Sequence, residues 1–341
     1  MELAQVVFVL VLFFLGGAMS DCGHEALMRD IETEPFEMVS QPDDALLKAH
    51  FNTITKKSAD NMEDKDMEDE SSDLHEKNIF SFSDDDSSFP TEEAHEELPF
   101  DPLRVLFVTK GVFGDTSEVQ ETLFDNSRTC HEKGEVVFTG KNDANNPWEA
   151  CSTPHENNCL HTCTVEDIIT EEKRHFIEGH ILPQVARRFH DLLRVVRTKA
   201  KLRLSVSHNC GPHGGVPIPP SFATGANGDL IVFITYRPTF SSVDAWAYPC
   251  QVNAIHRPIA AMMNINPSIS TNPARESELV GIIAHELMHA MGFSTYHYRS
   301  FVPAQAIGLD HILSAGKEGS RRMVITPTVQ SYARWHFGCS T

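Results

Sequence analysis

Basic side chains are scarce in this sequence of 341 residues. There are 28 lysines and arginines but 48 aspartates and glutamates, which gives a formal net charge of −20. A chain with so few cations lacks the basic face that binds nucleic-acid phosphates, so we exclude a nucleic-acid partner. The deficit is local: residues 21–100 hold 24 acidic and 6 basic side chains, whereas residues 101–341 hold 23 and 22. The nearly neutral part is long enough for a sizeable core.

Long apolar runs are also scarce. The one long run, from Val6 to Leu15, has ten residues, which are too few to span a bilayer comfortably. The small residues Ala18 and Ser20 follow where a signal peptidase requires them. We predict a signal peptide over residues 1–20, with an uncleaved signal anchor as the alternative. Either one exports the chain, so we expect a secreted protein in which disulfide formation is favoured for the eight cysteines. No N-glycosylation sequon occurs.

The acidic residues are concentrated in an N-terminal segment. From Asp60 to Glu97 the sequence is dense in Asp, Glu and Ser and contains few apolar residues. Such a composition cannot bury enough apolar surface to offset the entropy lost on ordering. We therefore expect a largely disordered acidic pro-segment over residues 21–100 and one folded domain over residues 101–341.

Beyond residue 101 the apolar pattern becomes that of a folded domain. One helical pattern opens at Thr164, with Asp167 three residues on in capping style, and runs to about residue 201 with a kink at Pro183. A second helical pattern covers residues 275–291 and ends at Gly292. Strand patterns cover residues 103–109, 202–207, 229–236 and 259–265. The alternation of strands and helices predicts an α/β or α+β fold.

The second predicted helix contains His285, Glu286 and His289 in the order H-E-x-x-H. Residues four apart lie on one face of a helix, so the two imidazoles can bind one Zn²⁺. The metal lowers the pKa of a bound water toward ~7, and the neighbouring carboxylate can take its proton during attack on a carbonyl. The pattern predicts a zinc-dependent hydrolase with one ion per chain and Glu286 as general base.

A catalytic zinc site needs a third protein ligand and one open position. In the compact metzincin pattern a histidine lies six residues after the second ligand, but Thr295 occupies that position here. The remaining candidates are His297, His311 and His336, with Glu318 as a weaker carboxylate alternative. Spacing alone does not choose among them.

The stretch GIIAHELMHAMGFS resembles the leishmanolysin family, which are metzincins with an insertion between the glycine after the helix and the third histidine. The stretches CTVEDIITEEKR, NCGPHGGVPIPPSF and WAYPCQ are similar to further segments of that family. The segment ARWHFGC around His336 is similar to the family's A-R-x-H-F-x-C, which contains the third ligand. The resemblance extends from about Pro102 to Thr341.

This resemblance implies an α+β, metzincin-like fold, with a twisted sheet and two long helices, one of which carries the zinc motif. It also implies a set of site residues: the zinc ligands His285, His289 and His336, the general base and acid Glu286, and a disulfide between Cys210 and Cys250. His297 and His311 then fall in the insertion, where we expect surface side chains.

Several other cysteines have alternative interpretations. Family precursors carry a Cys-x-His near the start of the pro-segment, and Cys22 with His24 follows the predicted cleavage site here. A Cys22 thiolate on the zinc would block the open position, whereas an ordinary disulfide is the alternative. Four further cysteines, Cys130, Cys151, Cys159 and Cys163, can form two disulfides in three ways. Because the chain is expected to be exported, disulfides are favoured over a structural zinc site with His155 and His161.

The sequence departs from the family at its C-terminal end. Five residues follow His336, without the family's Met-turn or its cysteine-rich C-terminal domain, so we expect a C-terminally truncated member. The leading hypothesis is a secreted zinc endopeptidase made as a precursor, whose substrate peptide binds in extended form along an edge strand, for which we choose residues 259–265. Cell adhesion and membrane association are implied by the resemblance alone. The alternative is a catalytically impaired homologue that serves as an extracellular binding or adhesion module.

Overall fold

The computed structural model describes residues 37–41, 100–113, 120–123, 128–138, 160–197, 200–211, 215–239, 243–269, 271–294, 297–300, 313–315 and 322–324. Cys22, His336 and most of the acidic segment lie outside these ranges. Among the described residues, no helix combines the length and the apolar composition needed to cross a bilayer.

The described strands are short, apart from three in the second half of the chain. In chain order they are β1 (Glu37–Met38), β2 (Phe100–Pro102), β3 (Val105–Val108), β4 (Lys110–Phe113), β5 (Gln120–Leu123), β6 (Val136–Phe138), β7 (Leu160–Thr162), β8 (Arg194–Val196), β9 (Leu230–Thr235), β10 (Ala245–Val252), β11 (Pro258–Ile265), β12 (Leu313–Ala315) and β13 (Arg322–Val324).

The helices include two long ones, as the resemblance implied. The first consists of α1 (Glu171–Phe176), a π-helical turn (Ile177–Ile181) and α2 (Leu182–Leu192). The other helices are the short α3 (Ser221–Thr224) and the 15-residue α4 (Glu276–Ala290), together with two 3₁₀ turns, Pro273–Arg275 and His297–Ser300.

A five-stranded sheet in the order β1-β10-β11-β9-β3 organises the domain. Strands β3, β9 and β11 are parallel, whereas β10 is antiparallel to β11, with Ala247 opposite Met263. The short β1 pairs only with Gln251 and Val252 at the end of β10. The fold is therefore mixed α/β, and among the described residues β10 forms the edge of the sheet except at the two residues that pair with β1.

The expectation that residues 259–265 form an edge strand is wrong. Strand β11 lies between β10 and β9, and seven of its eight residues are buried. The sequence of a strand that is buried on both faces is an almost continuous apolar run. Such a run does not show whether the strand lies inside the sheet or at its edge.

The two faces of the sheet form two separate cores. Because side chains alternate along a strand, Val232 and Ile234 of β9 pack against the long helices, with Phe189 and Leu287 among their neighbours. On the opposite face Phe233 packs with Trp246 of β10, with Met262 of β11 and with side chains of the connection between α2 and β9. The sheet is thus covered on both sides, and α4 is fixed against one of them.

The first long helix begins later than its sequence pattern predicts. Its cap is Thr170, whose hydroxyl accepts a hydrogen bond from the amide of Lys173 at 3.2 Å. The predicted cap Thr164 instead donates both its amide and its hydroxyl to the carboxylate of Asp167, each at 2.8 Å. The capping pattern at Thr164 therefore stabilises a turn and not the start of a helix, because the same side-chain hydrogen bonds can form in either structure.

The end of that helix was also predicted wrongly. It stops at Leu192 because residues 194–196 pair with β2, so that tertiary pairing replaces helical propensity. Pro183 follows the π-helical turn and lies in the first turn of α2, where a missing N–H is tolerated. Residues 202–207 do not form the predicted strand, since Leu202 makes only an isolated bridge with Ala226.

Two disulfides tie loops to this framework. Cys210 and Cys250 are bonded, with Cα atoms 5.2 Å apart, which is the pairing that the family resemblance implies. Cys130 is bonded to Cys163, with Cα atoms 5.8 Å apart, which selects one of the pairings that the sequence left open. Cys151 and Cys159 lie outside the described residues.

Candidate active site

The candidate site is built on α4, which packs on the sheet beside β10. Leu279, Ile283 and Leu287 of this helix are buried in the first core. At its C-terminal end Gly292 adopts φ +92°, and its amide donates to the carbonyl of His289 at 2.9 Å, as in common helix stops. The predicted helix over residues 275–291 is confirmed to within one residue at each end.

The imidazoles of His285 and His289 converge on one point. Their Nε2 atoms lie 3.0 Å apart, and the rings are steeply inclined, with centroids 4.7 Å apart. Two nitrogens bound to one tetrahedral zinc ion at 2.0–2.1 Å would be separated by about 3.3 Å. The pair therefore fits a shared zinc ion with only a small adjustment.

A backbone carbonyl selects the protonated nitrogen of His289. Its Nδ1 lies 2.8 Å from the carbonyl oxygen of Phe293, and a carbonyl can only accept. Nδ1 must therefore carry the proton, which leaves the lone pair of Nε2 directed toward His285. This is the outer hydrogen bond that usually orients a metal-binding histidine.

Burial keeps both imidazoles in the neutral form that binds metals. Burial lowers the pKa of His285. Burial, reinforced by the proximity of His285, lowers the pKa of His289 to about 3. No proton must therefore be removed from either nitrogen before a metal binds near neutral pH.

Glu286 is directed away from solvent into the contact between helix and sheet. It is only 1% exposed, and this burial raises the pKa of its carboxyl well above the usual range. The backbone N–H of Ala247, in β10, donates to the carboxylate and opposes that rise. This contact links the carboxylate of the zinc motif to the edge strand of the sheet.

Comparisons with known proteins agree with this geometry. The model of the leishmanolysin family matches residues 77–341, which is most of the chain. The chain belongs to the leishmanolysin family. Because this is a family of zinc metallopeptidases, its members act on peptides or proteins with the help of a metal ion.

Individual relatives are distant and much longer. The chain is 30% identical to leishmanolysin of Leishmania amazonensis over 187 residues, which are 53% of this chain and 30% of that protein. It is 29% identical to a leishmanolysin homologue of Crithidia fasciculata over 181 residues, 52% of this chain and 26% of that protein. A leishmanolysin-like peptidase of Drosophila pseudoobscura pseudoobscura is 38% identical over 81 residues, 22% and 12% of the respective chains. The alignments thus span less than a third of each relative.

The family's third-ligand segment, with His336, lies outside the described residues, as do His311, Glu318 and Cys22. The structure thus brings two of the three predicted ligands together and places the predicted base on the same helix. His297, by contrast, is described, and the expectation of a surface side chain there is wrong. It is 3% exposed, and its Nδ1 lies 2.7 Å from the hydroxyl oxygen of Ser294, below the turn at Gly292.

A second cluster of metal-binding side chains, Cys130, His161 and Asp167, lies elsewhere in this leishmanolysin-family domain. The sulfur of Cys130 is bonded to Cys163, so it offers no thiolate. His161 Nε2 lies 2.8 Å from the carboxylate of Asp167, which also accepts two bonds from Thr164. These groups satisfy one another, and the cluster stabilises the turn before α1.

Sequence reasoning missed two backbone groups of the site. The carbonyl of Phe293 and the N–H of Ala247 carry no side-chain signature. The family-like stretches GFS and WAYPCQ contain both residues, and they were the available indication that these segments contribute to the site.

Proposed function

We propose that this protein is an exported zinc-dependent endopeptidase that hydrolyses peptide bonds. The observation that carries the proposal is the convergence of His285 and His289 Nε2 atoms at 3.0 Å, with the buried carboxylate of Glu286 on the same helix. Family membership supports a peptidase, and this constellation supports the hydrolytic mechanism.

The zinc ligands in this proposal are His285, His289 and His336. When bound, zinc supplies a Lewis acid that polarises the scissile carbonyl and activates a water molecule. The chain's own contribution begins with the Phe293 carbonyl, which holds the ring of His289 in its binding orientation. Cys22 is the proposed latency residue, because its thiolate would fill the open position of the zinc ion in the precursor.

Glu286 is the proton carrier in the proposed reaction. Its carboxylate accepts a proton from the attacking water and returns it to the nitrogen of the leaving amine. The N–H of Ala247 positions this carboxylate from the side of the sheet. This bond and the packing around the buried side chain hold the proposed base in one orientation.

The proposed substrate is a peptide in extended form. Strand β10 is bonded on one side to β11, and β1 pairs on its other side only at Gln251 and Val252. We place the substrate along the rest of this edge by strand addition, with the N–H of Ala247 itself already used by Glu286. Because Ala247 also contacts Glu286, a peptide on this edge lies beside the proposed base.

The proposed location is extracellular, with residues 1–20 as a signal peptide and residues 21–100 as a pro-segment. Two disulfides in the described part of the chain support folding in an oxidising compartment. Association with membranes or a role in cell adhesion is proposed from family resemblance alone.

The deciding experiment is the substitution Glu286→Gln in the purified chain after removal of the N-terminal segment. We expect at least about a 100-fold loss in the cleavage rate of an unstructured protein substrate, with one zinc ion per chain retained. The matched control is Glu278→Gln on the exposed face of the same helix, where a surface ion pair with Arg275 contributes little. Cleavage that persists in Glu286→Gln, or in the presence of a zinc chelator, would overturn the proposal.

The same measurements test the alternative of an impaired homologue that serves as a binding module. That alternative predicts no turnover in the unsubstituted chain, whether or not zinc is bound. Turnover that a chelator abolishes and added zinc restores excludes it.

A further inference from the structure

Part of the acidic N-terminal segment is attached to the main sheet. Strand β1, at Glu37 and Met38, runs parallel to the end of β10, and the amide of Val39 donates to the carbonyl of Val252 at 2.9 Å. The side chain of Val39 packs against the second core. Residues 37–41 therefore bind the sheet by strand addition, through backbone groups that any sequence could supply.

Gln41 adds side-chain hydrogen bonds to these backbone contacts. Its side-chain nitrogen donates to the carbonyl of Arg203 at 2.9 Å, and its side-chain oxygen accepts from the amide of Arg203 at 3.1 Å. The side chain is only 4% exposed. The amide of Gln41 thus pairs with both backbone groups of one residue, as a neighbouring strand would.

A second glutamine, on the sheet itself, makes the same arrangement two residues farther along. The side chain of Gln251 accepts from the amide of Ser205 at 3.1 Å and donates to its carbonyl at 2.8 Å. The backbone groups of Arg203 and Ser205 are therefore held by two glutamines, Gln41 of the N-terminal segment and Gln251 of β10. Both glutamines are buried, so a group that loses its partner there cannot regain a hydrogen bond from water without local opening.

We propose that residues 37–41 are a docking strand that keeps the N-terminal segment bound to the catalytic domain without a covalent link. A cut in the acidic stretch between residues 60 and 97 then leaves the N-terminal piece in place on β10. Its departure is a separate step, governed by the bonds of Val39 and Gln41. If the proposed peptidase function holds, the docked strand shortens the edge that is open to substrate until this step occurs.

The test uses the full chain with the recognition sequence of a specific endoprotease placed within residues 60–97. After cleavage under native conditions, the two pieces are followed by size-exclusion chromatography and by mass spectrometry of each peak. We expect the N-terminal piece to elute with the larger one and to separate from it in denaturant. The cut must be complete by gel under denaturing conditions before retention is scored.

Substitutions at two adjacent residues isolate the contribution of the glutamine. Gln41→Ala removes both hydrogen bonds to Arg203, each of which changes an equilibrium constant by roughly two- to tenfold, so we expect dissociation of the piece to be about tenfold faster or more. Gln41→Glu should act in the same direction because a carboxylate cannot donate to the carbonyl of Arg203. Ser40→Ala, at an exposed neighbouring position, should dissociate like the unsubstituted chain.

A second measurement on the uncut chain is independent of the inserted site. The amide of Val39 should exchange slowly with deuterium, and Gln41→Ala should accelerate that exchange. Immediate separation of the unsubstituted pieces after cleavage, or equal dissociation of Gln41→Ala and Ser40→Ala, would overturn the docking strand. Neither measurement requires turnover, so failure of the proposed peptidase activity would leave this result interpretable.

Discussion

The backbone N–H of Ala247 donates a hydrogen bond to the carboxylate of Glu286. The first residue belongs to the edge strand of the sheet and the second to the helix with the zinc motif. This bond means that the proposed base is oriented by the same strand along which we propose that substrate binds. Disturbance of the strand edge should therefore change the rate of chemistry as well as substrate affinity.

Loss of a proposed ligand should abolish metal binding. His289→Ala removes an imidazole whose tautomer is already set by the Phe293 carbonyl, so we expect the zinc content to fall from one ion per chain to nearly none. Metal analysis of the dialysed protein measures this. His190→Ala, at an exposed position on α2, is the matched histidine control and should retain zinc. Equal zinc in both variants would exclude His289 as a ligand.

Two glycines in or next to α4 should respond in opposite ways to alanine. Gly292 has φ +92°, and a Cβ there would lie 3.3 Å from Pro258, so Gly292→Ala should lower the free energy of unfolding by about 1–2 kcal/mol. It should also weaken zinc binding, because the turn carries the Phe293 carbonyl. A Cβ on Gly281 meets nothing within 4 Å, so Gly281→Ala should be neutral or stabilise by up to about 1 kcal/mol. Urea unfolding measures both, and a similar loss in the two variants would contradict the explanation.

Lys173 should contribute strongly to the stability of the turn before α1. Its ammonium donates to the carbonyls of Glu166, Ile168 and Pro267, at 2.8, 3.1 and 2.7 Å. Lys173→Met keeps most of the apolar stem but leaves these acceptors without the charged donor, and we expect a loss of about 2–3 kcal/mol in unfolding free energy. Arg188→Met, at an exposed position on α2, should change it by less than about 0.5 kcal/mol. A Lys173→Met loss no larger than this would show that the three bonds contribute little.

The metal-free protein should lose stability in mild acid through His297. Burial lowers the pKa of this imidazole to about 4, from 6.5 in an exposed histidine. Between these values the unfolded chain binds a proton that the folded chain does not, so the free energy of unfolding falls as the pH drops from about 6.5 to about 4. The full effect is on the order of 3 kcal/mol.

His297→Gln should remove this part of the pH dependence while it preserves a polar partner for Ser294. Urea unfolding of the chelated protein at pH 7 and pH 5 measures the difference for both chains. The unsubstituted chain should lose more stability than the variant over that interval. Identical slopes would show that His297 does not carry the effect.

Local pattern was sufficient where a segment's structure depends on its own residues. The helix over residues 275–291 was predicted correctly because its apolar periodicity, its histidine spacing and its stop at Gly292 all lie within the segment. The strand predicted at residues 229–236 is confirmed as β9 for the same reason, since a run of β-branched and aromatic residues favours an extended chain. Thr164 shows the limit, because a capping pattern and a closed turn use the same hydrogen bonds.

The sequence by itself determined the composition of the candidate site and the family: two imidazoles on one helical face with a carboxylate next to the first, the family-like stretches around them, and an acidic segment that precedes a nearly neutral one. Only the tertiary structure decided that β10 and not β11 lies at the edge, that Cys130 pairs with Cys163, and that His297 is buried. Helical spacing is a property of neighbouring residues, whereas strand order, disulfide pairing and burial depend on contacts between residues far apart in the chain. For the same reason the bond from Ala247 to Glu286 could not be inferred before the sheet and the helix were seen together.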